Sequence, residues 1–178
     1  GLGDVYKRQK LDCLSLSELY FTNNFKQYIR PDNIYLNMNA LARQYFALDQ
    51  LCANLKNRYK NLVYLCFPEY ELLFKKEAIY SDIALSFIAD YPHTEIISNT
   101  RIDHLQHYFK NNNYKRWKQK PMLIKEAAKN SYPSVSKDDE IVSDLSQLAK
   151  LIRNYQNEIN SIKLKLINYG CLLYTSDA

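Results

Sequence analysis

Glycine is almost missing from this sequence: of 178 residues only Gly1, Gly3 and Gly170 are glycine. The interior therefore has no Gly-rich loop to cradle a phosphate and few tight turns, a composition that points to helix throughout. Cysteine is scarce as well. Cys13, Cys52, Cys66 and Cys171 show no C-x-x-C or His-rich spacing, so neither a disulfide framework nor a zinc site is implied, and a reducing cytoplasm is the expected compartment. No apolar run approaches the roughly 20 residues that span a bilayer, and no membrane partner is expected. Histidine is limited to His93, His104 and His107. The last two share a helical face at i, i+3, but no carboxylate-rich motif accompanies them, which favours surface or core roles over a metal site.

What the sequence does have is a mild excess of positive charge, +5 at neutral pH, and 16 tyrosines. The charge favours an anionic partner such as nucleic acid, weakly at this size. Tyrosines scattered along amphipathic helices serve as boundary packing, and none is assigned a catalytic role.

The two ends read as translated sequencing adapter. Residues 1–9, Gly1 to Gln9, back-translate to GGG CTC GGA GAT GTG TAT AAG AGA CAG, and residues 171–178, Cys171 to Ala178, to TGT CTC TTA TAC ACA TCT GAC GCT. The core of the second string is the reverse complement of the core of the first, as when one mosaic end is joined inward at both ends of a DNA insert. These residues are set aside as processing scars are. Lys10 to Gly170 remains, still mildly basic and without a start or stop of its own, long enough for one modest domain or two small pieces.

Within it, apolar positions recur at Ile34, Met38, Leu41, Tyr45, Leu48, Cys52, Leu55, Tyr59, Leu62 and Cys66, alternating steps of four and three. That is the a/d seam of a coiled coil. Pro68, lacking an N–H and restricting Phe67 before it, ends the helix. A second seam runs through Ile141, Leu145, Leu148, Ile152, Tyr155, Ile159, Ile162, Leu166 and Tyr169. Ser136 with Asp139 three residues on marks its start as a capping-box-like signal. The expected fold is mainly α: a long antiparallel coiled-coil hairpin of helices in 34–67 and 136–170, with a small helical subdomain, 68–135, at its tip. Tyrosine and cysteine at a-type positions suit irregular antiparallel pairing better than a strict parallel dimer; pairing between chains remains the alternative. Shorter helices are expected over 69–76, 82–90 after a Ser81 cap, 102–110 and 115–130. Their joints are Tyr91-Pro92-His93, Asn111-Asn112-Asn113 and Tyr132-Pro133-Ser134. Upstream, 11–20 reads as a short amphipathic helix, and Thr22-Asn23-Asn24 with Arg30-Pro31-Asp32 as a linker.

Local words at ordered distances carry a resemblance. Lys10-Leu11-Asp12-Cys13 looks like the end of a D-K-x-D-A motif, and Leu41-Ala42-Arg43-Gln44 like an L-x-R-x word in the first long helix. Asn54-Leu55-Lys56-Asn57-Arg58 and Phe67-Pro68-Glu69-Tyr70 follow as K-N-R and F-P-E words, then Tyr91-Pro92 and Ala127-Ala128-Lys129-Asn130-Ser131. In this order they resemble the DEDD transposases related to the Piv pilin-gene invertase, insertion-sequence family one-ten, across nearly all of Lys10 to Gly170. The resemblance implies an RNase H-like catalytic domain, whose last helix and linker would occupy 10–33, with four carboxylates holding Mg2+. It further implies DNA as substrate, a structured guide RNA as partner, a serine nucleophile in a downstream domain, and strand cleavage and rejoining by the full-length parent. By position Asp12 would be the last of the four acids, both catalytic and a metal ligand. Its D-x-x-D partner would fall at Gln9, inside the adapter, so this piece alone is expected to be inactive. Homo-oligomerisation through the coiled coil is also expected. The alternative is a non-enzymatic coiled-coil interaction or RNA-binding module in which Asp12 is incidental.

Candidate nucleic-acid contacts fall in two places. With Ile34 as a d position, Arg43 sits at f, Lys56 at e and Arg58 at g, outside the seam, either meeting phosphate or forming a solvated flank. Between Tyr108 and Lys120, the cations Lys110, Lys115, Arg116, Lys118 and Lys120 interleave with Tyr108, Tyr114 and Trp117. Cations beside aromatic faces are the pattern of nucleic-acid binding; a solvated inter-helix loop whose aromatics pack inward is the other reading.

Overall fold

The alternating four-and-three spacing of the two seams requires long helices, and two long helices dominate the chain. A computed structural model describes residues 33–74, 76–116 and 118–176, with the side chains of 76, 77 and 170–176 left out of the description. The chain divides into two units, 1–36 and 37–178. Of the first, only the start of a helix is described. Asp12, the helix expected over 11–20, the linker after it, the N-terminal adapter reading and Trp117 lie outside the described residues.

In chain order the elements are α1 (Asn33–Cys66), α2 (Tyr70–Leu73), a 3-10 turn (Lys76–Tyr80), α3 (Asp82–Asp90), α4 (Thr94–Asn99), α5 (Ile102–Asn111), α6 (Gln119–Asn130) and α7 (Glu140–Ser176). The fold is mainly α, with no strand among the described residues. No helix is long and apolar enough to cross a membrane among those residues.

Every seam position of α1 and α7 is buried or half-buried, and most residues between them are exposed. Burial deepens toward the C-terminal half of α1, where Cys52, Tyr59, Val63 and Cys66 are inaccessible, and toward the N-terminal half of α7, where Val142, Leu145, Ala149 and Ile152 are. Arg58 on α1 is ion-paired to Asp144 on α7 at 3.2 Å. Further back along α1, the Tyr45 ring lies under the ammonium of Lys163, 5.5 Å from its centroid, further forward along α7.

The third helix explains the deep half. Six consecutive residues, Ala84 to Ala89, are buried, and a helix apolar on all sides belongs in the centre of a domain. One side of α3 lies along α7. Arg153 forms a two-pronged ion pair with Asp82, Ser146 Oγ donates to the Ala89 carbonyl at 2.6 Å, and Gln156 donates to the Tyr80 carbonyl at 3.1 Å. Small residues at this contact, Ala89, Ser146 and Ala149, let the two backbones come close. The other side presents Phe87 to an aromatic cluster, with ring centroids at 5.1 Å to Tyr91, 5.8 Å to Tyr108, 5.1 Å to Phe109 and 6.5 Å to Tyr70.

Local signals place the other ends. Phe67 and Pro68 follow the last residue of α1, as the proline requires. Ser81 precedes α3 but its hydroxyl donates back to the Ala78 carbonyl, so no side chain caps that helix. Helix α4 is additional to the helices expected from the sequence. Its cap is His93, whose Nδ1 accepts from the Glu95 N–H at 3.1 Å while Nε2–H donates to the Val135 carbonyl at 3.0 Å. The buried ring thus ties the start of α4 to the segment leading into α7, and the Lys137–Glu95 ion pair at 2.7 Å repeats the tie at the surface. Before α7, the Ser136 N–H donates to the Asp139 carboxylate at 2.7 Å, one half of the expected capping pair.

Candidate nucleic-acid interface

The positive charge of the chain is concentrated in one place. Residues 101–130, from α5 through the turn into α6, contain eight lysines and arginines against Asp103 and Glu126 alone. Their surplus of six exceeds the surplus of five for the whole chain, so the remainder is nearly neutral. A strongly basic segment in an otherwise nearly neutral chain is the charge pattern a polyanion partner would favour.

The turn between α5 and α6 is built by its helix end. Asn113 has φ 54°, in the left-handed region that asparagine tolerates better than most residues. Around it, the Tyr114 N–H donates to the Phe109 carbonyl and the Asn113 N–H to the Lys110 carbonyl, both at 3.0 Å. This is the Schellman pair of bonds that closes a helix C-terminus. The hydrophobic contact that accompanies it is also present: the Tyr114 ring meets Phe109 edge-on at 5.4 Å. Asn112 donates its side-chain amide to the Tyr108 carbonyl at 2.8 Å. The cap therefore turns Tyr114 toward the core, and the next two residues, Lys115 and Arg116, are exposed.

The cations proposed from sequence divide by what they touch. Lys115 and Arg116 have no carboxylate within ion-pair reach among the described residues. They border an open cleft with Asn112, Asn113, Ser81 and Asp82. Asp82, the acid of that cleft, is already paired with Arg153, which leaves the cleft positive. Lys110 and Lys118 are exposed on the same segment. Lys120 is different: partly buried, it donates to the Leu73 carbonyl and lies 4.2 Å from the Phe74 ring centroid, joining α6 to α2. Burial, with the charge of Arg116 beside it, pulls its ammonium below the usual lysine range. On α1, Arg43 is exposed, Lys56 lies 5.3 Å over the Tyr80 ring and Arg58 is held by Asp144.

The two described aromatics of the stretch, Tyr108 and Tyr114, face inward. Tyr108 packs edge-on against Phe87, Tyr91 and Phe109, and burial followed by the nearby Asp90 pushes its phenol well up. Buried Tyr70 donates its hydroxyl to the Ala84 carbonyl at 2.8 Å, and desolvation also pushes the phenols of Tyr70 and Tyr59 up. The thiol of Cys66 is pushed up to about 11, first by burial and then by Asp139, and burial raises Cys52 as well. Neither thiol is a nucleophile at neutral pH.

Metal chemistry has no seat in these residues: no group of three or more His, Cys, Asp or Glu side chains could hold an ion among the described residues. The acid that the resemblance assigns to Mg2+, Asp12, is outside them. What the described residues offer chemically is a set of exposed cations around the α5–α6 turn. Compared with known proteins, the chain matches no family profile, no curated protein and no solved structure.

Proposed function

We propose that this chain is the nucleic-acid-binding arm of a DEDD-type transposase, with α1 and α7 paired antiparallel as a coiled-coil hairpin and the α5–α6 turn as its nucleic-acid contact. The observation that carries the reading is the location of the charge, a surplus of six on residues 101–130 with Lys115 and Arg116 held outward by the capped turn. The hairpin is supported by two contacts that run in opposite directions along the helices, Arg58 with Asp144 and Tyr45 with Lys163. The ordered words from Asp12 to Ser131 support the family, and with it DNA and a structured RNA as partners, self-association through the coil, Asp12 as a surviving acid of the Mg2+ site, and strand cleavage and rejoining by the parent.

Two experiments test this at different levels. Binding of the chain to duplex DNA and to folded RNA should weaken steeply as salt rises, because cations on phosphates release counterions; no binding at low salt removes the nucleic-acid role. A longer stretch of the encoding DNA tests the family. An acid three residues before Asp12 and a serine-bearing domain after the second seam are expected, whereas a hydrophobic residue at the first position and an early stop after the second seam favour a non-enzymatic coiled-coil module.

A further inference from the structure

We propose that the groove between α1 and α7, on the side of α7 away from α3, docks on the same groove of a second copy of this chain. This rests on the self-association in the reading above and assigns it a surface. The bonds from α7 to α3 and to the turn before it come from Ser146, Arg153 and Gln156. On the other side of α7, Asp144, Gln147, Leu148 and Leu151 border an open groove whose far wall is Leu55 and Arg58 of α1. Leu51 precedes Arg58 by one heptad and so shares its face of α1. Leu51 is 50 % exposed and Leu151 41 %. Between the Arg58–Asp144 pair and Glu158, the exposed residues of this face carry no charge: Leu51 and Asn54 on α1, Gln147, Leu151 and Asn154 on α7. Of the whole chain 24 % is charged, and depletion of charge from the middle of a patch is the mark of an interface core.

The charges at the two ends of this strip identify what covers it. Asp144, Leu151 and Glu158 stand on one face of α7 at successive heptads, with Leu151 midway, about 10.5 Å along the helix from each. A two-fold axis beside Leu151 therefore sets Leu151 against its copy and brings each Glu158 level with the Asp144 and Arg58 of the other chain. Glu158 is exposed and has no ion-pair partner among the described residues. Arg58 meets Asp144 through Nη2 at 3.2 Å, and a guanidinium with five donors can take a second carboxylate. An isologous interface repeats each contact, so the pair forms twice. An unrelated helix could cover the leucines but has no reason to match this spacing of opposite charges. The leucines close the middle of the interface, while the exposed pairs at its rim set the register.

The test is sedimentation equilibrium of the full chain, for which a dimer is expected. Leu51→Glu with Leu151→Glu should weaken self-association by about 100-fold. Helical circular dichroism should not change, because both side chains are exposed in the single chain and their replacement disturbs no core. Arg58→Glu should weaken the dimer about 5-fold, and adding Glu158→Lys should restore it. Within one chain Glu158 lies 14 residues along α7 from the Asp144 that Arg58 touches, about 21 Å, so this rescue acts only between copies. A dimer indifferent to the leucine variant, or one that Glu158→Lys does not restore, overturns this inference and leaves self-association standing. A chain that stays monomeric overturns both and gives the groove to a different partner, while the nucleic-acid role is judged separately by its salt titration.

Discussion

On α1, Lys56 lies over the Tyr80 ring, Arg58 is paired with Asp144 and Lys60 with Glu71 at 2.9 Å; on the α5–α6 turn, Lys115 and Arg116 meet no carboxylate among the described residues. The same residue types stand in two settings. Helix α1 is a packing element, and Lys56, Arg58 and Lys60 meet groups on the elements packed against it, while Arg43, nearer its N-terminal end, is exposed. The turn projects from a capped helix end, and no described carboxylate lies within ion-pair reach of its Lys115 or Arg116. A lysine or arginine close to a heptad seam is therefore a poor marker of a phosphate contact, because the partner that covers the seam brings acids and rings to its flanks.

The contrast depends on the core beneath the turn, so the largest effect is expected there. Phe87→Ala removes the ring that Tyr70, Tyr91, Tyr108 and Phe109 surround and should cost about 3–5 kcal/mol in a denaturant unfolding experiment. Loss of under about 1 kcal/mol would mean that the aromatic cluster does not hold the turn in place.

Alkaline pH attacks the same core more gradually. Tyr59 and Tyr70 keep their protons in the fold above the ordinary phenol value of 10.0, and Cys66 keeps its proton above the ordinary thiol value of 9.0. The folded state thus binds more protons than the unfolded state above those values. The stability associated with these groups is complete below about pH 9 and is lost as pH rises, by about 1.4 kcal/mol per pH unit for each buried phenol. Tyrosine ionisation followed by ultraviolet absorbance should lag behind free tyrosine and complete only with loss of helical circular dichroism. Ionisation of all tyrosines at the free value in a still-helical chain would contradict the burial.

Smaller still is the effect of the cap. Asn113→Val forces a β-branched residue into the left-handed region and should cost about 1–2 kcal/mol, whereas Asn113→Gly should be neutral or slightly stabilising. If both variants melt alike, Asn113 does not set the direction of the turn. At the bottom of the scale, Arg58→Ala removes a surface ion pair whose partners are both largely exposed, and thermal melting should register less than about 1 kcal/mol.

Much of the helical framework is legible in the sequence because its signals are local. The two seams announce themselves by spacing, and the residues at that spacing are the buried or half-buried ones. Asp82 to Asp90 is bounded as expected, since Tyr91-Pro92 stops it. The helix expected over 115–130 begins instead at Gln119; the Schellman cap carries the turn through Lys115 and Arg116, and Pro121 falls in the first helical turn, where its missing donor costs nothing. Helix α4, six residues capped by a histidine, has too short a period and too unusual a cap to be seen. The fate of each cation is the least legible part. Lys120 meets a carbonyl 47 positions away and Arg58 an acid 86 positions away, so only the tertiary fold separates occupied charges from available ones. The inward packing of Tyr108 and Tyr114 was one of two readings open from sequence, and the helix cap that produces it at Tyr114 depends on the backbone at Asn113.

The most direct test compares two double variants in one salt titration of duplex binding: Lys115→Ala with Arg116→Ala on the turn, and Lys56→Ala with Arg58→Ala on α1. The turn variant should bind about 10-fold more weakly at low salt with a shallower dependence on salt, while the α1 variant stays within about 2-fold of the parent chain in both. Equal losses from the two variants, or a greater loss from α1, would contradict the division between occupied and available cations.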